Sequence, residues 1–557
     1  VIKVINSRKV ECNDEVIAAL AKALLNHENI DPHSTITTWA RLKRNTGRYY
    51  RKFLRVVDRP LTMFNRWGFG GRQRPSQFTS NDINEEVGLV NRVLMDVRVD
   101  AFEWGRIHEW TGEFMVQRIS IWKPLTYDEY IEELKGSKKA RAREEIETQV
   151  KNTIITEHVP TYRAFLKMEN SACPWYEAMF KDPRIIQGCD PVVKHELGRF
   201  FRAFSKVIKA RFPMDGRLCY GSGYTPVEHG YWMELTLERI PNASFYELDY
   251  SRWDAHMSRS ALETVEHAIQ NTAWDDPGKK GIEHLLSAVI GTRGITKNGF
   301  AYATAAGRHS GDPDTSVGNS VINAAVWGYY LDTLCGAYQL TPDDNYRVIV
   351  LGDDSLTAMS QALVDVFSRD AFERWARTLG MVPEGVWHLT HHKASFCSQY
   401  YYPCTVTKDG ESKPSFVLAP KPGRYALKTG WYAATGEERA ATTQRTLLGE
   451  MLAWYPAGNV VPGLRQLMRK TIESALEDGQ VATKRTAMSW WKLDLPDLRA
   501  ARHMFDRECT LPVQVQVNGG TKAMIKHIYG RTLSQIDEEL LDKGLRDSCI
   551  RHLLDQE

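Results

Sequence analysis

The residues with the most chemical potential in this chain are carboxylates. In "VIVLGDDSL" (348–356) a run of β-branched and apolar residues ends on Asp353 and Asp354, with only Gly352 before them. Burying adjacent carboxylates is costly without a cation or hydrogen bonds, so the spacing predicts a turn that displays them. Two more stand far earlier in the chain, in "ELDYSRWDAH" (247–256): Asp249 closes a predicted strand, and Asp254 lies five positions on, where a helix begins. Hard divalent cations take oxygen ligands, and carboxylates from two neighbouring strands can bridge a metal pair about 3.5–4 Å apart, which suits in-line phosphoryl displacement. Asp249 and Asp353 are the candidate ligands. Asp354 is expected as a weaker, outer companion, because consecutive side chains diverge in a tight turn. Gly352 leaves room for a substrate to approach the backbone.

Between the two acidic segments lies "SGDPDTSVGNSVINA" (310–324). Thr315, Asn319 and Asn323 recur every four residues, which places them along one helix face. Amides and hydroxyls on that face can hydrogen-bond a ribose, and Asn319 can orient Asp254 against a 2′-hydroxyl. Ser310-Gly311 reads as a loop whose peptide moves freely. The plainer account, an N-cap followed by a polar helix side, loses ground because carboxylate segments flank this stretch.

The elements that must position these groups are legible from periodicity. "SFYELDY" (244–250) has strand character, and "AHMSRSALETVEHAIQ" (255–270) has a helical stripe of Ala261, Leu262, Val265 and Ile269. "TSVGNSVINAAVWGYYLDTL" (315–334) reads as a long helix opened by "HSGDPD", and "YRVIVLGDDSLTAM" (346–359) as a hairpin turning at Gly352-Asp353. A further helix over about 361–379 carries Leu363, Val366, Phe367, Phe372, Trp375 and Leu379 inward and stops at Gly380. This order of elements predicts an α+β fold, a sheet packed on helices. The stretch 404–557 reads as mostly helical, with an amphipathic end.

Upstream, "TYDEYIEELKGSKKARAREEIETQVK" (126–151) predicts two helices broken at Gly136-Ser137; its Lys138, Lys139, Arg141 and Arg143 form a solvated face or a contact to backbone phosphates. The glycine-rich "NRWGFGGRQRPSQF" (65–78) lacks the Lys-Ser/Thr ending of a phosphate-binding loop and reads as a mobile connection, with a substrate-contacting role the less favoured alternative.

With 557 residues the chain is long enough for several subdomains. A composition of 43% hydrophobic and 25% charged residues is that of a soluble globular protein. The net charge of +3 does not announce a nucleic-acid binder, so any such site must be a local basic channel. Nine cysteines without a C-x-x-C pair suit reduced thiols in a cytosol-like compartment. No stretch approaches the roughly 18 apolar residues of a membrane span. No signal peptide is visible, and because the chain starts at Val1 an upstream targeting or anchoring segment is allowed for.

"LDYSRWD", "SGDPDTSVGNSVIN" and "VLGDDSL" resemble motifs A, B and C in the palm of RNA-dependent RNA polymerases of positive-strand RNA viruses, in their tombusvirus-like form. "RAFLKMEN…KDPRIIQGCDPVVKHELGRFFR" (163–202) resembles the basic finger motif F, with "YIEELKGSKKAR" (130–141) before it, and "FCSQYYYP" (396–403) is similar to the primer-grip motif E. The resemblance covers about 130–403. It implies a right-hand polymerase: an amino-terminal extension with fingertip elements over 1–125, fingers over 126–243, a palm with an antiparallel sheet over 244–403 with a finger insertion at about 271–305, and a thumb over 404–557.

Carried onto this chain, the resemblance makes Asp249 and Asp353 metal ligands with Asp354 their companion, and Asp254 and Asn319 the ribose readers. Ser310, Gly311 and Thr315 become the loop that follows translocation and template. Arg184, with Lys167 and Lys181, grips the incoming triphosphate, for which arginine offers a planar fork and lysine a point charge. Lys393, in a stretch that also holds His388, His391 and His392, is the candidate proton donor to the leaving pyrophosphate. The implied cofactors are two Mg²⁺ ions, with Mn²⁺ as a substitute. The implied partners are RNA template and product, ribonucleoside triphosphates, and other viral or host replication proteins, in membrane-associated complexes of the host cytoplasm. A basic tunnel would answer the low global charge. Lys421, Arg424 and Lys428 are either RNA contacts or a solvated basic face. His388, His391, His392, Cys397 and Cys404 supply enough soft ligands for a structural zinc, the less favoured alternative to surface histidines. The competing functions are a reverse transcriptase, which generally places a bulky residue where this chain has Asp254, and a non-catalytic RNA-binding scaffold, for which three clustered carboxylates have no use.

Overall fold

Apolar, β-rich runs meet in a central sheet. The structure, a computed structural model, describes residues 41–44, 61–63, 78, 80–95, 97–115, 123–167, 169, 181–269, 276–429, 431–433, 454–468, 513–543 and 547–557. Strands Leu218–Tyr220 (β1), Ser244–Tyr250 (β2), Tyr346–Leu351 (β3), Asp354–Met359 (β4) and Pro383–His388 (β5) lie in the spatial order β5-β2-β4-β3-β1. All neighbours are antiparallel except β1 and β3, which run parallel.

Period-two alternation divides the strand residues between two cores. On one face Tyr246, Leu248, Val348 and Val350 pack with Phe201 and Phe204 of helix Pro191–Arg211 (α1), Trp327 of helix Thr315–Ala337 (α3) and Phe372 of helix Arg369–Thr378 (α4). On the other, Phe245, Ile349 and Leu356 pack with Trp232 and Met233 of helix Pro226–Arg239 (α2), and with Phe396 and Tyr401. Trp327 stacks on Phe372 of α4 at 4.5 Å and donates its indole N–H to Ser355 Oγ of β4 at 3.0 Å, so one side chain ties α3 to both the neighbouring helix and the sheet. Burying each such large side chain is worth about 1.5–3 kcal/mol, which is how α3 is held rigidly beneath the β3–β4 turn.

A second five-stranded sheet takes Arg41–Arg44, Phe300–Thr304, Thr292–Thr296, Tyr162–Leu166 and Ile185–Gly188, in that spatial order. The hairpin 292–304 therefore belongs to this second sheet and not to the central one. A third sheet is built on Gln399–Lys408 (β6) and Glu411–Pro420 (β7), a hairpin of two ten-residue strands flanked by Ser395–Phe396 and Val513–Gln516.

Several local expectations change. The helix expected from 255 begins instead after Ser258, whose hydroxyl accepts from Ala261 N–H, and is preceded by the short turn Trp253–His256. Its stripe of Ala261, Leu262, Val265 and Ile269 is nonetheless buried. The helix over 361–379 is two, Gln361–Val364 and Arg369–Thr378, because Ser368 caps a new start by accepting from Ala371 N–H. Gly380 does end it, at φ 84°. Strand β6 runs without interruption across the boundary expected at 403/404, so the chain after 404 begins as β-structure and becomes helical only from Pro422. Lys139 and Arg143 share Glu132, and Arg141 pairs with Glu145, so three of the four residues of the basic knot have a carboxylate partner within the chain. The glycine-rich stretch 65–78 lies, but for Phe78, outside the described residues.

Candidate active site

Strand register brings the acidic segments together. Leu351 pairs with Asp354, which leaves Gly352-Asp353 as a two-residue loop; Gly352 takes φ 67° and Asp353 a negative φ, the pattern of a type II′ hairpin. On the other edge of β4, Ser355 pairs with Leu248. The next step along that ladder sets Asp354 opposite Asp249, so the residue expected as the outer companion faces the other strand directly. Asp249, Asp353 and Asp354 line one cleft of about 910 Å³ together with Glu247 and Asp254. Burial, and then repulsion from Asp354, Asp249 and Asp254, pushes the Asp353 carboxyl up to about 7. Burial and Asp249 push Asp354 up to about 6, opposed by a hydrogen bond from the Cys397 thiol and by Arg424.

Helix α3 holds this turn from below. The fully buried Asn323 donates to the carbonyls of Gly352 at 3.1 Å and Asp353 at 3.0 Å, and Ser320 Oγ accepts from Gly352 N–H at 2.7 Å. Asn323, expected on the ribose-reading face, instead anchors the turn; its four-residue spacing from Asn319 was visible in the sequence, its target was not. Asn319 does reach Asp254: its amide donates to Asp254 Oδ1 at 3.2 Å, and its Oδ1 accepts from Arg308 Nε at 2.9 Å. Burial raises the Asp254 carboxyl, against the pull of Arg308 and the Asn319 bond.

The Ser310-Gly311 loop is clamped, contrary to expectation. A Cβ at Gly311 would lie 2.1 Å from the Gln187 carbonyl oxygen, so the residue must be glycine for strand Ile185–Gly188 to pass. Ser310 Oγ lies 3.4 Å from both Ile185 O and Gln187 N. Thr315 turns its hydroxyl back to His309 O at 2.7 Å and Asp312 O at 2.9 Å, while still lining the cleft. His309 in turn bonds Asp312 at 2.9 Å and Thr292, and stacks on Tyr162 at 4.2 Å, which ties the loop to the second sheet.

One wall of the cleft is basic. Lys167 and Arg184 line it and share Glu169, at 3.1 and 3.3 Å. Arg92 and Arg252 line it too, and sequence reasoning missed both: Arg252 reaches Asp182 at 2.6 Å from a left-handed backbone (φ 56°), and Arg92 Nε donates to Asp182 O at 3.2 Å. A single arginine carries no spacing signal, although Arg252 stands inside the acidic motif itself. Lys181 and Lys393 are not among the cleft-lining residues. Arg424 lines the cleft and donates to Ser398 Oγ at 2.9 Å; Lys421 is buried over the Tyr400 ring at 4.8 Å rather than on a solvated face. The side chain of Lys428 is outside the described set.

The zinc alternative finds no support in side-chain placement. His388 bonds Glu247 at 3.2 Å, His391 packs on His392 at 4.4 Å, Cys397 faces Asp354, and Cys404 is buried in β6. Among the described residues no group of three or more His, Cys, Asp or Glu side chains is placed to hold a metal ion. Magnesium, however, is commonly held by one or two carboxylates plus substrate phosphates, and the repulsion of Asp354 and Asp249 on the Asp353 carboxyl is of the kind a hard cation relieves.

The family described as viral RNA dependent RNA polymerase matches residues 98–437, more than half of the chain. Among curated relatives, the RNA-directed RNA polymerase of Pothos latent virus (isolate Pigeonpea/India) is 27% identical over 61% of this chain and 46% of its own length. That of Pariacoto virus is 25% identical over 59% of this chain and 32% of the relative, and that of Tomato bushy stunt virus (strain Cherry) 26% over 45% and 30%. The chain thus spans less than half the length of these relatives. With the acidic cluster, the Asn319–Asp254 pair and all of the basic wall but Arg92 inside the matched region, the chain belongs to the viral RNA-dependent RNA polymerase family.

Proposed function

We propose that this chain carries out template-directed RNA synthesis from ribonucleoside triphosphates, replicating the genome of a positive-strand RNA virus with a right-hand arrangement of fingers, palm and thumb. The observation that carries the reading is the convergence of Asp249 with Asp353 and Asp354 in one cleft with the Asn319–Asp254 pair. Asp249, Asp353 and Asp354 would hold two Mg²⁺ ions, which when bound supply charge neutralisation for attack on the α-phosphate and departure of pyrophosphate. The chain's own residues do the positioning. Arg184 and Lys167 meet the triphosphate on the basic wall, exchanging Glu169 for phosphate oxygens, and Asp254 accepts from the ribose 2′-hydroxyl. Ser320 and Asn323 keep the catalytic turn against α3. Lys393 would need to move to reach the leaving group.

An acidic residue already oriented by an amide at the ribose position favours a ribonucleotide enzyme over a reverse transcriptase, and a scaffold without catalysis would gain nothing from the repulsion around Asp353. RNA template, other replication proteins and a membrane-associated site in the host cytoplasm follow from the same family reading; no helix among the described residues is long and apolar enough to cross a membrane. The test is incorporation of labelled nucleotides by the purified chain with Mg²⁺, on RNA templates with and without a primer. Asp353→Asn should abolish incorporation while leaving the circular dichroism spectrum unchanged. Wild-type extension by that variant would rule the mechanism out.

A further inference from the structure

Arg308 stands outside every motif residue singled out above, yet its guanidinium is the centre of a buried polar cluster beside the cleft. Its side chain is 3% exposed. One Nη donates to Asp314 and the other to Glu266, while Nε donates to Asn319 Oδ1 at 2.9 Å. Its backbone N–H donates to the carbonyl of Asp254 at 2.9 Å. Arg308 therefore meets Asp254 twice, once through the main chain and once through Asn319.

The chemistry of the two amide ends makes this consequential. An asparagine amide can sit in either of two orientations related by a half-turn, and the hydrogen-bond network decides between them. Guanidinium has donors only, so it accepts nothing from an N–H₂ group and must face Oδ1. That leaves Asn319 Nδ2 aimed at Asp254, where it donates to Oδ1 at 3.2 Å. In the flipped amide, two donors would face each other at Arg308 and an oxygen would face a carboxylate at Asp254. With Oδ1 of Asp254 occupied, Oδ2 has no hydrogen-bond partner among the described residues, on a side chain that lines the cleft.

We infer that Arg308 is a positioning residue for sugar discrimination: anchored by Glu266 and Asp314, it fixes the amide orientation of Asn319, and through it presents Asp254 Oδ2 to a ribose 2′-hydroxyl. Lysine at this position would keep the charge near Glu266 and Asp314 but is a single-nitrogen point charge without the planar fork whose separate Nε faces Asn319, so the lock on Asn319 is lost while the ion pairing persists. The inference rests on the reading of Asp254 and Asn319 as ribose readers.

The experiment compares kcat/KM for ATP and dATP opposite the same template base, for wild type, Asn319→Ala, Arg308→Lys, and the double variant. The ratio of the two values belongs to the active fraction of each preparation, so partial unfolding cancels from it, and a role in stability alone leaves it unchanged. A hydrogen bond to an ionised carboxylate corresponds to roughly tenfold or more in relative rate; Arg308→Lys is expected to lower the ATP/dATP ratio by about tenfold. Acting only through Asn319, it should add less than about twofold to the loss already caused by Asn319→Ala. A wild-type ratio in Arg308→Lys, or losses that multiply in the double variant, overturns the inference. Where Arg308→Lys shows no incorporation, Glu266→Asp takes its place: it keeps the charge but draws the guanidinium back by one methylene, and a ratio lowered at least about threefold supports the role while an unchanged ratio overturns it. An unchanged ratio in Asn319→Ala instead overturns the ribose-reading assignment itself, which distinguishes the two failures.

Discussion

Asn323→Ala separates the positioning of the catalytic turn from the stability of the fold. The side chain is fully buried and its amide spans the Gly352 and Asp353 carbonyls at 3.1 and 3.0 Å. Each such bond contributes about 1 kcal/mol net, so roughly 2 kcal/mol of restraint on the turn disappears. The restraint acts against a standing force, since burial together with repulsion from Asp354, Asp249 and Asp254 already pushes Asp353 up to about 7. If all of that restraint is used in holding the turn for reaction, kcat falls about thirtyfold. Stability should fall much less, because Asn323 Oδ1 is itself buried without a partner among the described residues and its removal returns a desolvation cost of about 1–3 kcal/mol. The assay pairs single-turnover nucleotide incorporation on a primed RNA with thermal melting of the same preparation. A kcat within about threefold of wild type would refute the claim that α3 positions the turn, and a collapse of the melting temperature in step with kcat would show that the residue serves only the fold.

Two further perturbations test neighbouring parts of the structure. Gly311→Ala places a Cβ against a backbone carbonyl that cannot swing aside, an overpacking cost of about 1–3 kcal/mol; because the displaced strand follows directly on Arg184, KM for nucleotide should rise severalfold in protein that still melts cooperatively, and an unchanged KM and melting temperature would show that the loop is not clamped in solution. Glu145 is opposed by burial, yet hydrogen bonds from Lys194, His195 and Arg141 hold its carboxyl at about 2. Its folded value lies below its unfolded one, so its contribution to stability is complete above about pH 4.5 and is lost as the pH falls toward 2. The gap in melting temperature between wild type and Glu145→Gln should therefore be widest above pH 5 and narrow steadily below it; a gap independent of pH would contradict the assignment.

Much of the site was readable before any fold was known, and the readable part was local. The apolar run before Gly352 and the loop of two residues determined the hairpin, and four-residue spacing determined that Asn319 and Asn323 share a face of α3. These patterns depend on neighbours a few positions away, so the chain's own order contains them. What the sequence could not decide were matters of pairing. Leu248 opposite Ser355 is one register among several that the same alternating strands would accept, and a one-residue slip would turn Asp249 to the other face. Asn323 turned to the main chain of the turn while Asn319 turned to Asp254, a choice set by what lay above each residue. Arg308, Arg92 and Arg252 gained their places only when Glu266 and Asp182 arrived from distant segments to bind them, Asp314 being a nearer partner six residues on from Arg308. Side-chain type and spacing state what a residue can do, whereas long-range packing selects the partner with which it does so, because burial makes an unpaired charge too costly to leave where it falls.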